Sequence, residues 1–569
     1  MKKYIFKAVA VGVLALGISS CTDELNIKSI DPQSNPTYDN DELFAKTYAS
    51  LSLTGLKGPT GNGDLTDTED KSGFYRSMFN LEELPTDEVN WAWQTDPSIP
   101  QITGISWNST TEMNQWCYNR LGWNINLYNF FLRETAGATD EETKTRRAEV
   151  RFLRALNYYY YLDLYHMAPF KDENDPQSVL PVEKSGKDLY DWLDKELTSL
   201  TEDLAPMGQN TFNKKSTNYG RADKGAAYML HARLLLNAAV YTDGAVSTEA
   251  YKEAKKLCDQ IIAGPYKLSN SPKTNPQNGL TYSGYAQLFM ADNDSNADAV
   301  QEIIMPIRQD GLHMRSNSGT NMLVNSMRIA GMPYAGVSNC WSCIYARPNL
   351  VEQFFPKDNI PISTQAAPED ATPQQIIELD SQDGSDTKSI LAAANDDRAL
   401  FYAGRGGGLR KLRVDKLSNF LDGISIVKWQ NIRTDGKKTH DQEFPDTDIP
   451  LFRLAEAYLT RAEVEWRLNG DNDAAALADL NVLRDRAHAT PLTEVNKQTL
   501  IDEWSREFYT EGRRRSDLVR FNMFTGGDYV WAWKGGEAKG RSVPDYFKVY
   551  PVPENDIKNN KNLRQNDKY

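Results

Sequence analysis

The sequence predicts a mainly α-helical protein in which helical hairpins bracket a long irregular insert. Two observations lead to this fold class. Apolar residues recur at helical spacing in two blocks, about 115–265 and 450–521, with charged residues on the opposite faces. Between them, residues 265–445 are rich in glycine, proline, asparagine and serine, which predicts loops with a few short strands. Loops this long in compact proteins usually have a function.

The first twenty residues have the features of a secretory signal peptide. Three lysines form a basic start, residues 8–16 are apolar, and a short segment of small residues ends at Cys21. A thiol at this position is the group that lipoproteins acylate, so we expect residues 1–20 to be removed and the mature chain to begin at lipid-bearing Cys21. The alternative is a secreted protein with an accidental cysteine. The apolar run is too short to span a bilayer.

Composition narrows the class of protein further. Residues 21–40 are polar and acidic, as expected for a lipidated tether, and residues 41–569 are expected to form a single globular domain. The formal net charge is −14, and loss of three lysines with the signal peptide makes it more negative. Such a surface argues against nucleic acid or anionic lipid as a partner. The few cysteines exclude a disulfide-built scaffold, so packing must stabilise the fold.

The first block predicts consecutive helical hairpins. A helix runs through Trp116 and Trp123, which lie seven residues apart and are expected in the core. The following helices are predicted at 144–166, 189–204, 222–241 and 248–262. Alanines in the helix at 222–241 permit close approach of neighbouring helices, as in stacked helix-turn-helix repeats.

In the second block, helices are predicted at Pro450–Arg467, Asp473–His488 and Lys497–Phe521. The most loop-like parts of the insert are Pro356–Asp386 and the glycine run Gly404–Gly408.

The sequence gives little support for catalysis or metal binding. The five histidines are scattered, and no acid–base motif stands out among the carboxylates. The acidic segment Asp292–Asp294 with Asp298 lacks the EF-hand glycine and glutamate, so a solvated loop is predicted, a structural calcium is unsupported and no cofactor is expected. The glycine run lacks the ending of a phosphate-binding loop. Cys340 and Cys343 have redox spacing in a loop-like region, where a local disulfide is expected rather than an oxidoreductase.

Two loop tryptophans are the strongest candidates for a binding site. Trp91 and Trp93 stand among acids, amides and prolines, where no amphipathic period would bury both. The face of a tryptophan can stack on the C–H surface of a sugar, while neighbouring amides such as Asn90 hydrogen-bond its hydroxyls. A loop tryptophan packed onto a helix remains the alternative.

Six segments resemble, in order, the signature blocks of the SusD/RagB family. They are residues 146–170, 219–241, 449–464, 477–487, 507–521 and 550–569. The resemblance implies four TPR-like helix pairs and a lipid-anchored, surface-exposed outer-membrane protein of Bacteroidetes type. It also implies a binding protein, not an enzyme, that delivers glycans to a SusC-type TonB-dependent transporter.

The resemblance also separates scaffold from site. Residues in the signature blocks are expected to be structural: Arg154, Tyr158, Arg221, Arg453, Glu456, Glu511 and Arg513. Family ligand sites lie on variable loops, where the founding starch-binding member uses an arc of aromatics with an arginine and amides. Arg76, Trp93 and Trp341 are similar to that arc by type and order. With Asn90 and Trp91 they form the candidate glycan-binding site. Two other functions remain open: a TPR-like adaptor that binds protein or peptide, and a surface glycosidase.

Overall fold

The computed structural model describes residues 39–55, 63–65, 70–210, 218–244, 248–329, 332–355, 386–404 and 410–569. The predictions for the signal peptide, for Cys21 and for most of the tether lie outside these residues, as do those for 356–385 and 405–408. No helix in the described ranges is both long and apolar enough to cross a membrane. The chain divides into residues 1–45 and a compact unit of residues 46–569. The domain limits predicted from the sequence stay a prediction.

Helices dominate the described residues. In chain order the α-helices are α1 (Asn40–Ala49), α2 (Phe74–Glu83), α3 (Ile99–Thr103), α4 (Glu112–Glu134), α5 (Glu141–Tyr165), α6 (Gly186–Leu200), α7 (Lys224–Leu236), α8 (Ala238–Tyr241), α9 (Thr248–Ile262), α10 (Gly284–Gln287), α11 (Thr320–Met327), α12 (Pro348–Glu352), α13 (Thr387–Ala394), α14 (Leu454–Asn469), α15 (Ala474–Arg486), α16 (Lys497–Phe508), α17 (Arg514–Arg520) and α18 (Glu554–Asn559). Short 3₁₀ helices lie at Ala299–Gln301, Lys534–Gly536 and Asp545–Lys548.

The strands are short and form antiparallel pairs. They are β1 (Val89–Trp91), β2 (Met167–Phe170), β3 (Val182–Ser185), β4 (Lys273–Thr274), β5 (Thr281–Tyr282), β6 (Ile303–Ile307), β7 (Ile344–Ala346), β8 (Phe401–Tyr402), β9 (Ser425–Ile426) and β10 (Ile449–Arg453). The pairs are β1 with β7, β2 with β3, β4 with β5, β6 with β10 and β8 with β9. Pairs of this size need packing against helices for stability.

The helices pack in a continuous series across the insert. Helix α4 packs on α5, α5 on α6, α6 on α7 and α7 on α9. Helix α9 then packs directly on α14, which in turn packs on α15. The insert therefore begins after α9 and ends before α14, two helices that pack on each other, and it does not interrupt the stack. This arrangement confirms the predicted fold class of helical hairpins around a loop-rich insert.

Helix α5 is buried on all sides along its second half, from Phe152 to Tyr165. The four successive tyrosines Tyr158–Tyr161 are all buried. The helix ends at His166, whose left-handed backbone (φ 57°) lets its N–H bond to the Leu162 carbonyl. Two remaining carbonyls at this end accept hydrogen bonds from the C-terminal segment: Tyr550 N donates to Leu164 O (2.7 Å) and Asn566 Nδ2 to Tyr165 O (2.8 Å).

The helix predicted at 222–241 is divided at Asn237 into α7 and α8. Two further predicted helices differ from the structure. The predicted start at Pro450 is wrong, because Ile449–Arg453 is a buried strand paired with β6 and the helix begins at Leu454. The predicted helix Lys497–Phe521 is two helices. Between them Thr510 (φ 58°) and Gly512 (φ 77°) adopt left-handed backbone, and Gly512 N donates to Glu83 Oε1 (2.7 Å). Tertiary contacts override helical periodicity at both places.

Two environments were also predicted wrongly. Trp116 and Trp123 are half-buried rather than core, because α4 buries the neighbouring face that contains Cys117 and Leu121. The segment Asp292–Asp294 is buried instead of solvated. Asp292 accepts hydrogen bonds from the N–H and the hydroxyl of Thr434 at 2.9 and 2.6 Å.

A buried cluster of ion pairs connects the insert to β10, α15 and α16. We call it the arginine–glutamate cluster, and it consists of Glu302, Arg398, Arg453, Arg486, Glu503, Glu507 and Glu511. Arg453 is fully buried and donates to Glu507 Oε1 (2.6 Å) and Glu511 Oε2 (2.9 Å). Burial alone would raise the pKa of Glu507, but the guanidiniums of Arg486 and Arg453 outweigh it and hold that pKa well below its usual range.

The other signature residues have similar roles. Arg221 pairs with buried Glu149, and Arg513 lies 3.0 Å from Glu456. Arg154 donates to Glu196 (3.2 Å), and Tyr158 donates its hydroxyl to Lys171 O (2.7 Å). These contacts agree with the structural role expected for them.

Candidate functional site

A cavity of about 510 Å³ opens where the β1–β7 pair meets α2 and α11. Its walls come from segments far apart in sequence. The lining residues are Arg76, Trp91, Trp93, Asp96, Asn317, Asn321, Asn339, Cys340, Trp341, Cys343 and Glu443. Four of the five residues predicted from the sequence therefore lie around one cavity.

Strand pairing brings the two tryptophan-bearing segments together. Trp91 of β1 lies opposite Ile344 of β7, and the ladder continues beyond the strands, since Ala92 N donates to Cys343 O (2.7 Å). Next in line, Trp93 Nε1 donates to the Trp341 carbonyl (2.9 Å). The two segments thus hold each other in register at the rim of the cavity.

Helix α11 supports the segment that contains Trp341. Trp341 N donates to Asn325 O (2.7 Å) and Cys343 N to Ser326 O (2.8 Å), and Ser342 between them has a left-handed backbone (φ 54°). Because backbone bonds fix this turn, the position of the Trp341 ring is determined by the C-terminal part of α11.

Trp93 is the exposed aromatic of the site, with 45% of its surface accessible. Its ring meets the edge of Phe420 at a centroid distance of 4.8 Å. Since its N–H is used by Trp341, the indole ring is held in one orientation and its apolar face is available for contact.

Arg76 supports Trp341 from the floor of the cavity. It extends from α2, is almost entirely buried, and its guanidinium carbon lies 5.6 Å from the centre of the Trp341 ring. Its Nη1 donates to the Asn317 carbonyl (3.2 Å). Arg76 therefore positions both an aromatic and an amide residue of the lining.

Alternation along β1 gives its residues different environments. Trp91 is 4% exposed, and its Nε1 donates to Asp96 Oδ2 (3.1 Å), so it is a wall of the cavity rather than an open platform. Asn90 is fully buried, donates to Leu417 O (3.1 Å) and does not line the cavity. Of the two loop tryptophans predicted as ligand residues, Trp91 is therefore buried and Trp93 is exposed.

Sequence reasoning missed the amides of the lining. Asn317, Asn321 and Asn325 lie four residues apart, a spacing that places them on one face of a helix and could have indicated a polar surface. Asn321 Nδ2 donates to Asn317 Oδ1 (2.7 Å), and both residues line the cavity. Asn339 and Glu443 come from separate loops of the insert, and no local sequence pattern predicts that they line the cavity.

The expected local disulfide is not formed. Cys340 and Cys343 are separate thiols, with Cys340 exposed and Cys343 buried. The backbone bonds of Trp341 and Cys343 to α11 hold the turn in a shape that keeps the two side chains in different environments. Burial raises the pKa of the Cys343 thiol to about 12, so it remains protonated at neutral pH.

The groups around the cavity suit non-covalent recognition. They offer aromatic faces, amide donors and acceptors, and two carboxylates, Asp96 and Glu443. One Asp96 oxygen already accepts the Trp91 indole N–H. In the described ranges no three His, Cys, Asp or Glu side chains are placed to hold a metal ion.

The fold consists of stacked helical hairpins, and its loops form an aromatic cavity. Together these features define a class of helical binding proteins. A family model for the SusD family matches residues 415–569. Starch-binding protein SusD of Bacteroides thetaiotaomicron is 48% identical over 580 aligned residues, covering 100% of this chain and 99% of that protein. The chain therefore belongs to the SusD family, and the resemblance noted in its sequence is confirmed.

Solved structures share the fold. A SusD-like protein from Bacteroides fragilis has a TM-score of 0.64 at 19% identity, covering 93% of this chain and 96% of that one. Surface glycan-binding protein A from Bacteroides thetaiotaomicron in complex with laminarihexaose has a TM-score of 0.59 at 17% identity, covering 93% and 98%. At these identities the likeness concerns the fold alone.

Proposed function

We propose that this protein binds starch-type glycans at the cavity around Trp93 and Trp341. The observation that carries the proposal is the 48% identity, over essentially both full lengths, to a protein named for starch binding. The cavity supports it chemically, because aromatic faces and amides are the groups that recognise sugar rings. Asn90, which we predicted as a ligand residue, would contribute by holding the loop of Leu417.

In the proposed mode of binding, the exposed face of Trp93 stacks on the C–H face of a glucose unit. The half-buried ring of Trp341, backed by Arg76, contacts a second unit. The side chains of Asn317, Asn321 and Asn339 hydrogen-bond the hydroxyls at the ring edges. The protein binds and releases the chain without cleaving it.

We also propose a cellular role that rests on the signal sequence and the family resemblance. Cys21 bears the lipid that anchors the protein to the outer membrane, with the binding domain exposed at the cell surface. The bound oligosaccharide passes to a SusC-type TonB-dependent transporter that forms a complex with this chain.

Affinity electrophoresis against a polysaccharide panel tests the binding function. Retardation by amylopectin without release of reducing sugar is the expected result. Release of reducing sugar would instead support the glycosidase alternative. Binding to no polysaccharide would contradict the proposal and favour the TPR-like adaptor.

Two cellular experiments test the anchor and the partner. Cys21→Ala should abolish palmitate labelling and move the protein out of the membrane fraction, and continued labelling would contradict lipidation. Purification in mild detergent should yield a large β-barrel protein with this chain. Repeated recovery of the chain alone would contradict the transporter complex.

A further inference from the structure

A second cavity, of about 680 Å³ and larger than the cavity around Trp93, lies at the C-terminal end of α14. Three connections form its walls: the turn after α14, the start of α16 and the loop after α17. The lining residues are Trp466, Asp471, Asn496, Lys497, Gln498, Asn522, Met523, Asp528 and Tyr529. None of them lines the cavity around Trp93.

Trp466 provides a fixed aromatic surface in this cavity. Its ring is nearly parallel to that of buried Phe521, with an angle of 12° and a centroid distance of 6.2 Å. Its Nε1 donates to Asp471 Oδ1 (2.7 Å), a second residue of the lining. The indole is half-buried, so its orientation is set while part of its surface stays accessible.

Polar side chains surround this aromatic surface. Lys497, Gln498, Asn522 and Asp528 are exposed. Asn522 has a left-handed backbone (φ 54°), a conformation that asparagine tolerates better than most residues. The Asn496 side chain caps α16 by accepting hydrogen bonds from the N–H groups of Gln498 and Thr499. These bonds fix its position in the wall of the cavity.

The wall of this cavity is bonded to the segment that leads into the first one. Tyr529 donates its hydroxyl to Asp87 Oδ2 (2.6 Å), and Asp87 lies directly before Glu88 and β1. Arg514 of α17 donates to both oxygens of the same carboxylate at 2.8 and 2.7 Å. Both cavities are therefore connected through the segment that contains Asp87.

The chemistry of the lining favours a neutral polyhydroxyl ligand. It combines a backed aromatic face with amide groups, as the first cavity does. Two carboxylates, Asp471 and Asp528, outnumber the one ammonium group of Lys497, so phosphate and other anions are poorly matched.

We propose that the cavity around Trp466 is a second glycan-binding site, which holds another part of the polysaccharide bound at Trp93. This proposal rests on the proposed function. Two linked sites on one chain raise the effective concentration of the second binding event, so a polymer gains affinity that a short oligosaccharide does not.

The test combines maltoheptaose and amylopectin as probes. Calorimetric titration of the wild type with maltoheptaose should give two sites per chain, and Trp466→Ala should leave one. Affinity electrophoresis with amylopectin should show a loss of about tenfold for Trp466→Ala. Trp466 packs on Phe521, so its removal can also affect the fold. The double variant Lys497→Ala/Asn522→Gly removes only exposed side chains, since glycine adopts the left-handed backbone of residue 522, and should also weaken amylopectin binding.

Asn469→Ala is the matched control, because Asn469 is exposed on the same helix and does not line the cavity. One maltoheptaose site in the wild type, together with wild-type amylopectin affinity in the double variant, would overturn the second site and leave the proposed function intact. Failure of the wild type to bind either probe would contradict the proposed function itself, and the second site with it.

Discussion

The arginine–glutamate cluster and the cavity around Trp93 use polar and aromatic side chains in opposite ways. In the cluster, Arg453 and Glu507 are fully buried and direct their charged groups at each other. In the cavity, Trp93 and Asn339 are exposed and leave their surfaces open to a ligand. Both regions join segments that are remote in sequence, so the difference lies in what their side chains contact.

This difference teaches that stability and binding are separable in this molecule. Removing one partner of a buried ion pair leaves an uncompensated charge, which is strongly destabilising. Removing an exposed ring costs little in the folded state but removes a contact surface. Arg76 combines features of the two regions. It is buried like the residues of the cluster, but it contacts the Trp341 ring of the cavity.

The largest expected effect is on the cluster. Arg453→Met should lower the free energy of unfolding by about 3–5 kcal/mol, because Glu507 and Glu511 lose a buried partner. Arg413→Met is the control, since Arg413 forms an exposed pair with Asp415 and should change stability by less than about 1 kcal/mol. Chemical denaturation measures both. Equal changes in the free energy of unfolding for the two substitutions would contradict the prediction that buried ion pairs matter more for stability than exposed ones.

The pH dependence of the cluster gives a second, smaller effect. Burial alone would raise the pKa of Glu503, but Arg398 and Arg506 outweigh it and lower that pKa from 4.5 to about 2. The folded-state value is depressed, so its stabilisation is complete above 4.5 and is lost as pH falls toward 2.

Glu503→Gln should therefore be less stable than the wild type at pH 7, and the gap should narrow as pH falls below about 4.5. Thermal melts of both proteins over this pH range test the assignment. A gap that stays constant down to pH 3 would contradict a depressed pKa for Glu503.

At the cavity, Trp93→Ala should weaken binding of the cognate glycan by about ten- to a hundredfold, since an aromatic contact of this kind contributes about 1–3 kcal/mol. The melting temperature should stay unchanged, because Trp93 is 45% exposed. Leu280→Ala, an exposed apolar residue outside the cavity, is the control and should leave affinity unchanged. Calorimetric titration with unaltered affinity would exclude Trp93 from the site.

The smallest effect is expected for Arg76→Ala. Loss of its bond to Asn317 and of its contact with Trp341 should reduce glycan affinity by about three- to tenfold, because water replaces part of the hydrogen bonding. Arg76→Lys keeps the charge and should fall between the wild type and the alanine variant. A larger loss than for Trp93→Ala would mean that Arg76 contacts the ligand directly.

Much of the helical framework could be predicted from the sequence because it depends on local patterns. The helix Thr248–Ile262 has its predicted bounds, and α5 differs from prediction by only a few residues. The errors occur where distant residues decide. Ile449–Arg453 is a strand only because β6 lies beside it, and the break after Phe508 depends on Glu83 of α2.

The candidate site could be predicted only in part. Trp93 could be identified because it lies in a loop, where no amphipathic periodicity predicts its burial. Arg76 and Trp341 were identified through the family resemblance. Asn90 was chosen for its position beside Trp91, but the alternation of β1 turns its amide toward Leu417. Asn339 and Glu443 were missed because their place around the cavity is set by the path of the insert, which no local pattern encodes.

The bonds that close the end of α5 have a consequence for the order in which the molecule is assembled. The carbonyl of Tyr165 is satisfied by Asn566, 401 residues further along the chain. During synthesis from the N-terminal end, the carbonyl groups of Leu164 and Tyr165 therefore do not receive these hydrogen bonds until that distant segment has been made.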